Sequence, residues 1–105
     1  MTQYNVLLSD RASEDMDGIY DYIANTLLEP VIAANQYDRI ARAILTLEKM
    51  PERIRLMDSQ PERSKGLRPL IVDNYTVFFV IQSNTVRVVR VLYSSSDIKK
   101  RLLDE

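Results

Sequence analysis

The stretch from residue 67 to residue 93 constrains the fold more than any other part of the chain. Three runs of β-forming residues, 67–72, 75–82 and 85–93, are separated only by the polar pairs Asp73-Asn74 and Ser83-Asn84. Two-residue links leave room for nothing but tight hairpins, so the three runs predict an antiparallel meander. In the second run Tyr75, Val77, Phe79 and Ile81 alternate with Thr76, Phe78, Val80 and Gln82. Side chains alternate along a strand, so one face is wholly apolar and should receive the rest of the chain. In the third run, unbroken alternation would set Val86, Val88, Arg90 and Leu92 opposite Thr85, Arg87, Val89, Val91 and Tyr93, with Arg87 and Arg90 on opposite faces.

Upstream, residues 4–8 read as a first strand, stopped by Ser9-Asp10, both of which cap helices. Ala12, Met16, Ile19, Ile23 and Leu27 then recur at three- and four-residue spacings, which predicts a helix over 10–28 with these residues on one buried stripe. Pro30 suits the first turn of a second helix. Ala33, Tyr37, Ile40, Ile44 and Leu47 carry its stripe to about Lys49, where Met50-Pro51 ends it. The short Glu29-Pro30 link makes the pair an antiparallel hairpin. Residues 52–66, polar and without periodicity, predict a loop at one end of the sheet. Ile98, Leu102 and Leu103 among Lys99, Lys100 and Arg101 allow a short helix or a mobile basic tail. The expected fold is α+β, a single domain over 1–105: an N-terminal strand, a two-helix hairpin and a three-stranded antiparallel meander.

The chain has no histidine and no cysteine. That removes the commonest general base, the commonest zinc ligand, thiolate metal sites and disulfides. No metal site and no cofactor is expected. Asp17 and Asp21, one helical turn apart, supply too few ligands for a hard cation and read as a solvated face. The longest apolar run, 77–81, falls far short of the roughly 20 residues of a membrane span, and a cytoplasmic protein is expected. Formal net charge is −1, but residues 1–50 hold 4 basic and 8 acidic side chains while residues 51–105 hold 10 basic and 7 acidic. The second half can therefore present a local positive potential.

Order and local wording together resemble the RelE/ParE toxin superfamily, the plasmid-stabilisation toxins of type II toxin–antitoxin modules, most of all its ParE-like members. The matching words are Tyr4-x-Val6 with Ser9-x-x-Ala12, Ile19-x-x-Tyr22-Ile23, Pro30-x-x-Ala33-Ala34 and Ile44-x-x-Leu47 before Met50-Pro51. They continue in Lys65-Gly66-x-Arg68-x-Leu70-x-Val72-x-Asn74-Tyr75-x-Val77-Phe78, then Val88-x-Arg90-Val91-Leu92-Tyr93 with Asp97. The resemblance implies a growth-inhibiting toxin held inactive by a cognate antitoxin. Its target is either DNA gyrase, inhibited without nuclease activity, or ribosome-bound mRNA, cut by a metal-independent endoribonuclease. A degenerate member that binds antitoxin but is no longer toxic is a third reading.

RNA cleavage by a 2′-hydroxyl needs a base, an acid and cations for the charge that develops on the phosphate. Lys65, Arg68 and Tyr93 are the candidates if the chain is a nuclease. The resemblance places cations in such enzymes at positions matching Thr76 and the turn 94–96, and here both positions hold hydroxyl residues. Losing one preorganised donor costs roughly 3 kcal/mol of transition-state stabilisation, so gyrase inhibition ranks slightly ahead. Arg63, Arg87, Lys99 and Lys100 are the candidate target-binding cations. Tyr20, Tyr22 and Leu28, apolar positions off the main stripe of the first helix, are the candidate antitoxin-binding residues. Arg90 reads as structural.

Overall fold

The computed structural model describes residues 3–103. Its elements are β1 (Asn5–Leu8), α1 (Asp10–Asp21) with a π-helical turn Tyr22–Thr26, and α2 (Pro30–Leu45) with a 3-10 turn Thr46–Glu48. A further 3-10 turn at Pro51–Arg53 leads through a long loop to β2 (Arg68–Val72), β3 (Tyr75–Gln82), β4 (Thr85–Tyr93) and α3 (Ile98–Leu103). The order is the α+β one expected, and the tail is a helix.

Among the described residues the strands form one sheet in the order β1-β4-β3-β2. The meander is antiparallel, while β1 lies parallel to β4 with Val6 opposite Val86 and Leu8 opposite Val88. Both hairpin links start with a left-handed residue, Asp73 (φ 55°) and Ser83 (φ 55°). Such a turn matches the twist of the strands it joins. Asp73 has a second duty: its carboxylate accepts from Arg39 Nε at 2.9 Å, Arg39 Nη2 at 2.8 Å and Gln36 Nε2 at 3.1 Å, fastening α2 to the β2–β3 turn.

Each face of the sheet has its own core. On the first, Val77, Phe79, Val86, Val88 and Val91 pack with Ala12 and Met16 of α1, Ile40 and Ile44 of α2, and Leu47. The apolar face of β3 thus receives the helical hairpin. On the second, Phe78 and Leu92 pack with Leu67 and Leu102, joined by Met57, Val80, Val89 and Ile98. The long loop was expected at one end of the sheet; Met57 and Leu67 instead bring it across this second face, where α3 completes the cover.

Two further expectations are corrected. Phe78 pairs with Arg90 and Phe79 with Val88, leaving Val89 as a bulge. The extra residue reverses the alternation, so Arg87 and Arg90 share the second face and Val91, not Arg90, joins the first core. Leu27 was expected on the buried stripe of a helix running to Leu28. In the π-turn the Leu27 N–H donates to Tyr22 C=O, five residues back. That wider turn shifts the helical phase and leaves Leu27 51% exposed.

Candidate functional site

β1 ends opposite Val88, so the remainder of β4 has no strand on that side. Side chains from α1 take over. Ser9 Oγ donates to Val89 C=O at 3.0 Å while accepting from the Ala12 N–H as N-cap. One turn later the Asp15 carboxylate accepts from the Val91 N–H at 2.9 Å, from Arg90 Nε at 2.7 Å and from Arg90 Nη2 at 3.0 Å. Arg90 Nη1 donates to Arg101 C=O at 3.0 Å. Arg90, 3% exposed, is thus a clamp joining α1, β4 and α3, a structural role.

Beyond this clamp α1 and the sheet diverge, and a groove of about 860 Å³ opens between them. Ile19, Tyr22 and Leu27 wall it on the hairpin side, Tyr75, Val91 and Tyr93 on the sheet side. Gly18 lies in the wall as well, and a Cβ built there would meet nothing within 4 Å. Its lack of a side chain is therefore not a packing requirement of the fold, although glycine inside a helix costs about 1 kcal/mol relative to alanine. The hairpin turn at the groove's end is apolar and held in an unusual backbone. Leu28 has φ 59° and is 76% exposed, and Val31 and Ile32 beside it are 71% and 54% exposed. A bulky residue with positive φ carries strain, which tends to gather at functional surfaces.

Tyr75 and Tyr93 meet edge to face at 5.6 Å. Burial, chiefly, and then the nearby Tyr93 and Tyr22 hydroxyls push the Tyr75 hydroxyl above its ordinary pKa. The Tyr4 hydroxyl, donating to Glu52, is raised too. Two carboxyls move the other way: Ser59 Oγ, donating at 2.6 Å, holds Glu62 low, and Arg39 with Gln36 holds Asp73 low. All four shifts lead away from neutrality, whereas an acid–base catalyst gains from moving towards it.

The structure does not bring Lys65, Arg68 and Tyr93 together. Arg68 Nη1 donates to Ile54 C=O at 2.6 Å and Glu52 C=O at 3.5 Å, tying the segment after α2 to β2. Tyr93 borders the groove. Lys65 is exposed on the second face beside a smaller cleft of about 220 Å³, with Arg87 across it and Leu67, Val80 and Val89 among its lining. Glu62 lies in the same cleft, its charge favoured by Lys99 and Lys65. Lys99 Nζ donates to Gln60 C=O and Arg63 Nη1 to Met57 C=O, each at 3.5 Å, and Lys100 is exposed on α3. Lys65, Arg87 and Lys99 thus make the second face cationic. At the far end of that face Thr76 Oγ1 and Ser94 Oγ lie 2.8 Å apart, so Thr76 stands beside the turn 94–96, the other place where the resemblance implies cations, and Ser95 holds the position at which it would put an arginine.

Of the three residues expected to meet an antitoxin, Tyr22 lines the groove and Leu28 stands at the hairpin turn. Tyr20 points elsewhere, edge-on to Tyr37. Sequence reasoning missed Gly18, Leu27, Ile32 and Tyr75. The one signal that could have found the groove is a glycine set in the middle of a strongly periodic helix.

Among the described residues no helix is long and apolar enough to cross a membrane. Comparison with known proteins gives a consistent answer. A chain of the chromosomal ParDE toxin–antitoxin system from Pseudomonas aeruginosa is similar, with a TM-score of 0.73 and 19% identity over 87% of this chain and 96% of that one. A chain of the RelBE2 toxin–antitoxin complex from Mycobacterium tuberculosis is similar at a TM-score of 0.62 and 18% identity, covering 88% of this chain and 99% of that one. The archaeal RelE–RelB complex from Pyrococcus horikoshii gives a TM-score of 0.59 at 11% identity, over 90% and 98% of the two chains. At these identities the likeness is one of fold. No curated protein matched. Residues 6–98 match the family described as the ParE toxin of the type II toxin–antitoxin system parDE. With nearly the whole length matched, the chain belongs to the ParE toxin family.

Proposed function

We propose that this chain is the toxin of a type II toxin–antitoxin pair, that a segment of its antitoxin fills the groove between α1 and β4, and that the freed toxin acts by binding DNA gyrase. The observation that carries the first part is the groove itself: Tyr22, Leu27 and Ile32 stay exposed along it, and Gly18 leaves its wall open. A contiguous apolar surface of this kind on a small domain is a partner surface. Gly18→Gln tests it. The longer side chain costs the helix nothing, since glutamine is the better helix former, yet it stands where a partner segment must lie. Co-expressed with its cognate antitoxin, wild type should purify as a complex. Gly18→Gln should fold equally well and lose the partner. Retention of a tight complex by the variant would move the antitoxin off this groove.

The choice of gyrase rests on what RNA cleavage would require. Lys65, Arg68 and Tyr93 are dispersed, Thr76 and the turn 94–96 with Ser95 offer hydroxyls where cations would be needed, and no shifted group is poised near neutral pH. Binding through the cationic face, with Arg63, Arg87, Lys99 and Lys100 as target contacts, makes no such demands. Gyrase works in the cytoplasm, and so does this reading of the chain. The test pairs a supercoiling assay on purified gyrase with mapping of mRNA 5′ ends in cells expressing wild type or Ser95→Arg. Inhibited supercoiling with no new RNA ends is the expected result. Codon-phased cuts by the wild type, with supercoiling untouched, would favour the mRNA interferase, for which the cationic face is the supporting observation. Loss of both effects alongside retained antitoxin binding would identify a degenerate member.

A further inference from the structure

The helical hairpin carries a second groove, of about 470 Å³, formed by Asp17, Tyr20 and Asp21 of α1 and Ala34 and Tyr37 of α2. No sheet residue takes part, so this is a site apart from the groove beside β4. The Tyr20 and Tyr37 rings meet nearly perpendicular (87°) with centroids 6.3 Å apart, and the residues are 37% and 38% exposed. Such an edge-to-face pair satisfies the two rings in part, and both residues line the groove while more than a third exposed. Asp17 and Asp21, at i and i+4, flank them from one side.

The two carboxylates stand where the helix alone would not favour them. Like charges at i and i+4 destabilise a helix, and negative charge in its later turns opposes the helix dipole. The last turn of α1 holds no basic residue to compensate. Among the described residues neither Asp17 nor Asp21 has an ion-pair partner; the pairs are Arg39–Asp73, Arg42–Asp38 and Arg90–Asp15. A metal ion would need more ligands than two exposed carboxylates give. Aromatic faces beside unpaired carboxylates fit one chemical class closely, a planar cation that stacks on the ring while its N–H groups reach the oxygens.

We infer that this groove is a docking site for an arginine side chain presented by a partner protein. The guanidinium lies against Tyr20 or Tyr37 and donates to Asp17 and Asp21. Arginine is preferred over lysine, because only the planar fork can stack and make paired hydrogen bonds together. The inference does not depend on the toxin's target or on the groove beside β4.

The experiment uses the full-length folded chain with isotope-labelled tyrosine rings, titrated with the peptide Ac-Gly-Arg-Gly-NH2. Saturable shifts of the Tyr20 and Tyr37 ring signals are expected. The same peptide with citrulline, of nearly the same shape but uncharged, should give no saturable shift, and the lysine peptide should bind more weakly than arginine. Asp17→Asn with Asp21→Asn should weaken arginine binding about tenfold or more, and Tyr37→Leu should do likewise. Absence of saturation with arginine, equal shifts with citrulline, lysine binding as tight as arginine, or undiminished binding by the Asn pair would each overturn the assignment. The citrulline and lysine arms use only the wild type, so they decide the matter even where a variant folds poorly.

Discussion

The two layers that cover the sheet are built on different terms. The hairpin on the first face uses a 12-residue and a 16-residue helix with clean apolar stripes, and its main buried residues, Ala12, Met16, Ile40 and Ile44, repeat at helical spacing. The second face is covered by an irregular loop and by α3, only 6 residues long. Isolated helices shorter than about 12 residues are marginal in water. The order of α3 is therefore imported from Phe78 and Leu92, on which Leu102 and Ile98 rest. One layer shapes the sheet and the other is shaped by it. The two candidate surfaces divide along the same line, with the groove beside β4 walled by the hairpin and the exposed cations Lys65 and Lys99 carried by the dependent layer.

Core truncation tests the contrast most strongly. Phe79→Ala, in the first core, should cost about 3–5 kcal/mol in chemical denaturation. Leu102→Ala, beneath α3, should cost nearer about 2 kcal/mol, the low end for such changes, because the short helix can loosen without unfolding the sheet. Equal losses would mean that the two layers unfold as one. Asp15→Ala probes the clamp that joins them. Arg90 would stay buried without its carboxylate, and breaking a buried pair by removing one partner costs about 3–5 kcal/mol. Hydrogen exchange should then rise in α3 as well as in α1, and protection unchanged in α3 would show that Arg101 is held without the clamp.

Ser83→Gly should sharpen the picture in the opposite direction. With φ 55° at Ser83 the substitution relieves a left-handed strain and should stabilise by up to about 1 kcal/mol, offset in part by the freer unfolded chain. The smallest effect is an acid-side one. The folded pKa of Asp73 lies below its ordinary value of 3.8, first because of Arg39 and then Gln36. Its contribution is therefore full above that value and is lost as pH falls through the lower, folded pKa. Asp73→Asn should flatten the acid limb of a stability–pH curve and leave its neutral region nearly level. A change confined to neutral pH would contradict the assignment.

Much of this was legible in residue order. Tyr75–Gln82 and Thr85–Tyr93 have the boundaries that their polar links dictate, and the hairpin packs on the face marked by Val77 and Phe79. What escaped were features with no period. The bulge at Val89 depends on a cross-strand fit, and nothing in Val88-Val89-Arg90 announces it. The π-turn that exposes Leu27 is likewise a backbone event inside an uninterrupted helical pattern. Side-chain placement was least legible of all. Arg68 and Arg87 look alike as strand arginines, yet one is bound to Ile54 C=O and the other faces the open cleft, because Arg68 lies on the edge strand that the loop crosses.

The parallel pairing of β1 with β4 bears on how the chain comes into being. Ser9 and Val89, joined by a hydrogen bond, stand 80 positions apart. Contacts of such long sequence separation slow folding, because the loop must close before it is rewarded. During synthesis the first strand leaves the ribosome with no neighbour, and neither core can close until the last strand has emerged. The nascent polypeptide thus carries an unpaired first strand and a helical hairpin with its apolar stripes uncovered for most of its translation. A cell making this protein has an interval in which the groove beside β4 does not yet exist, and its walls first meet only when the molecule is nearly complete.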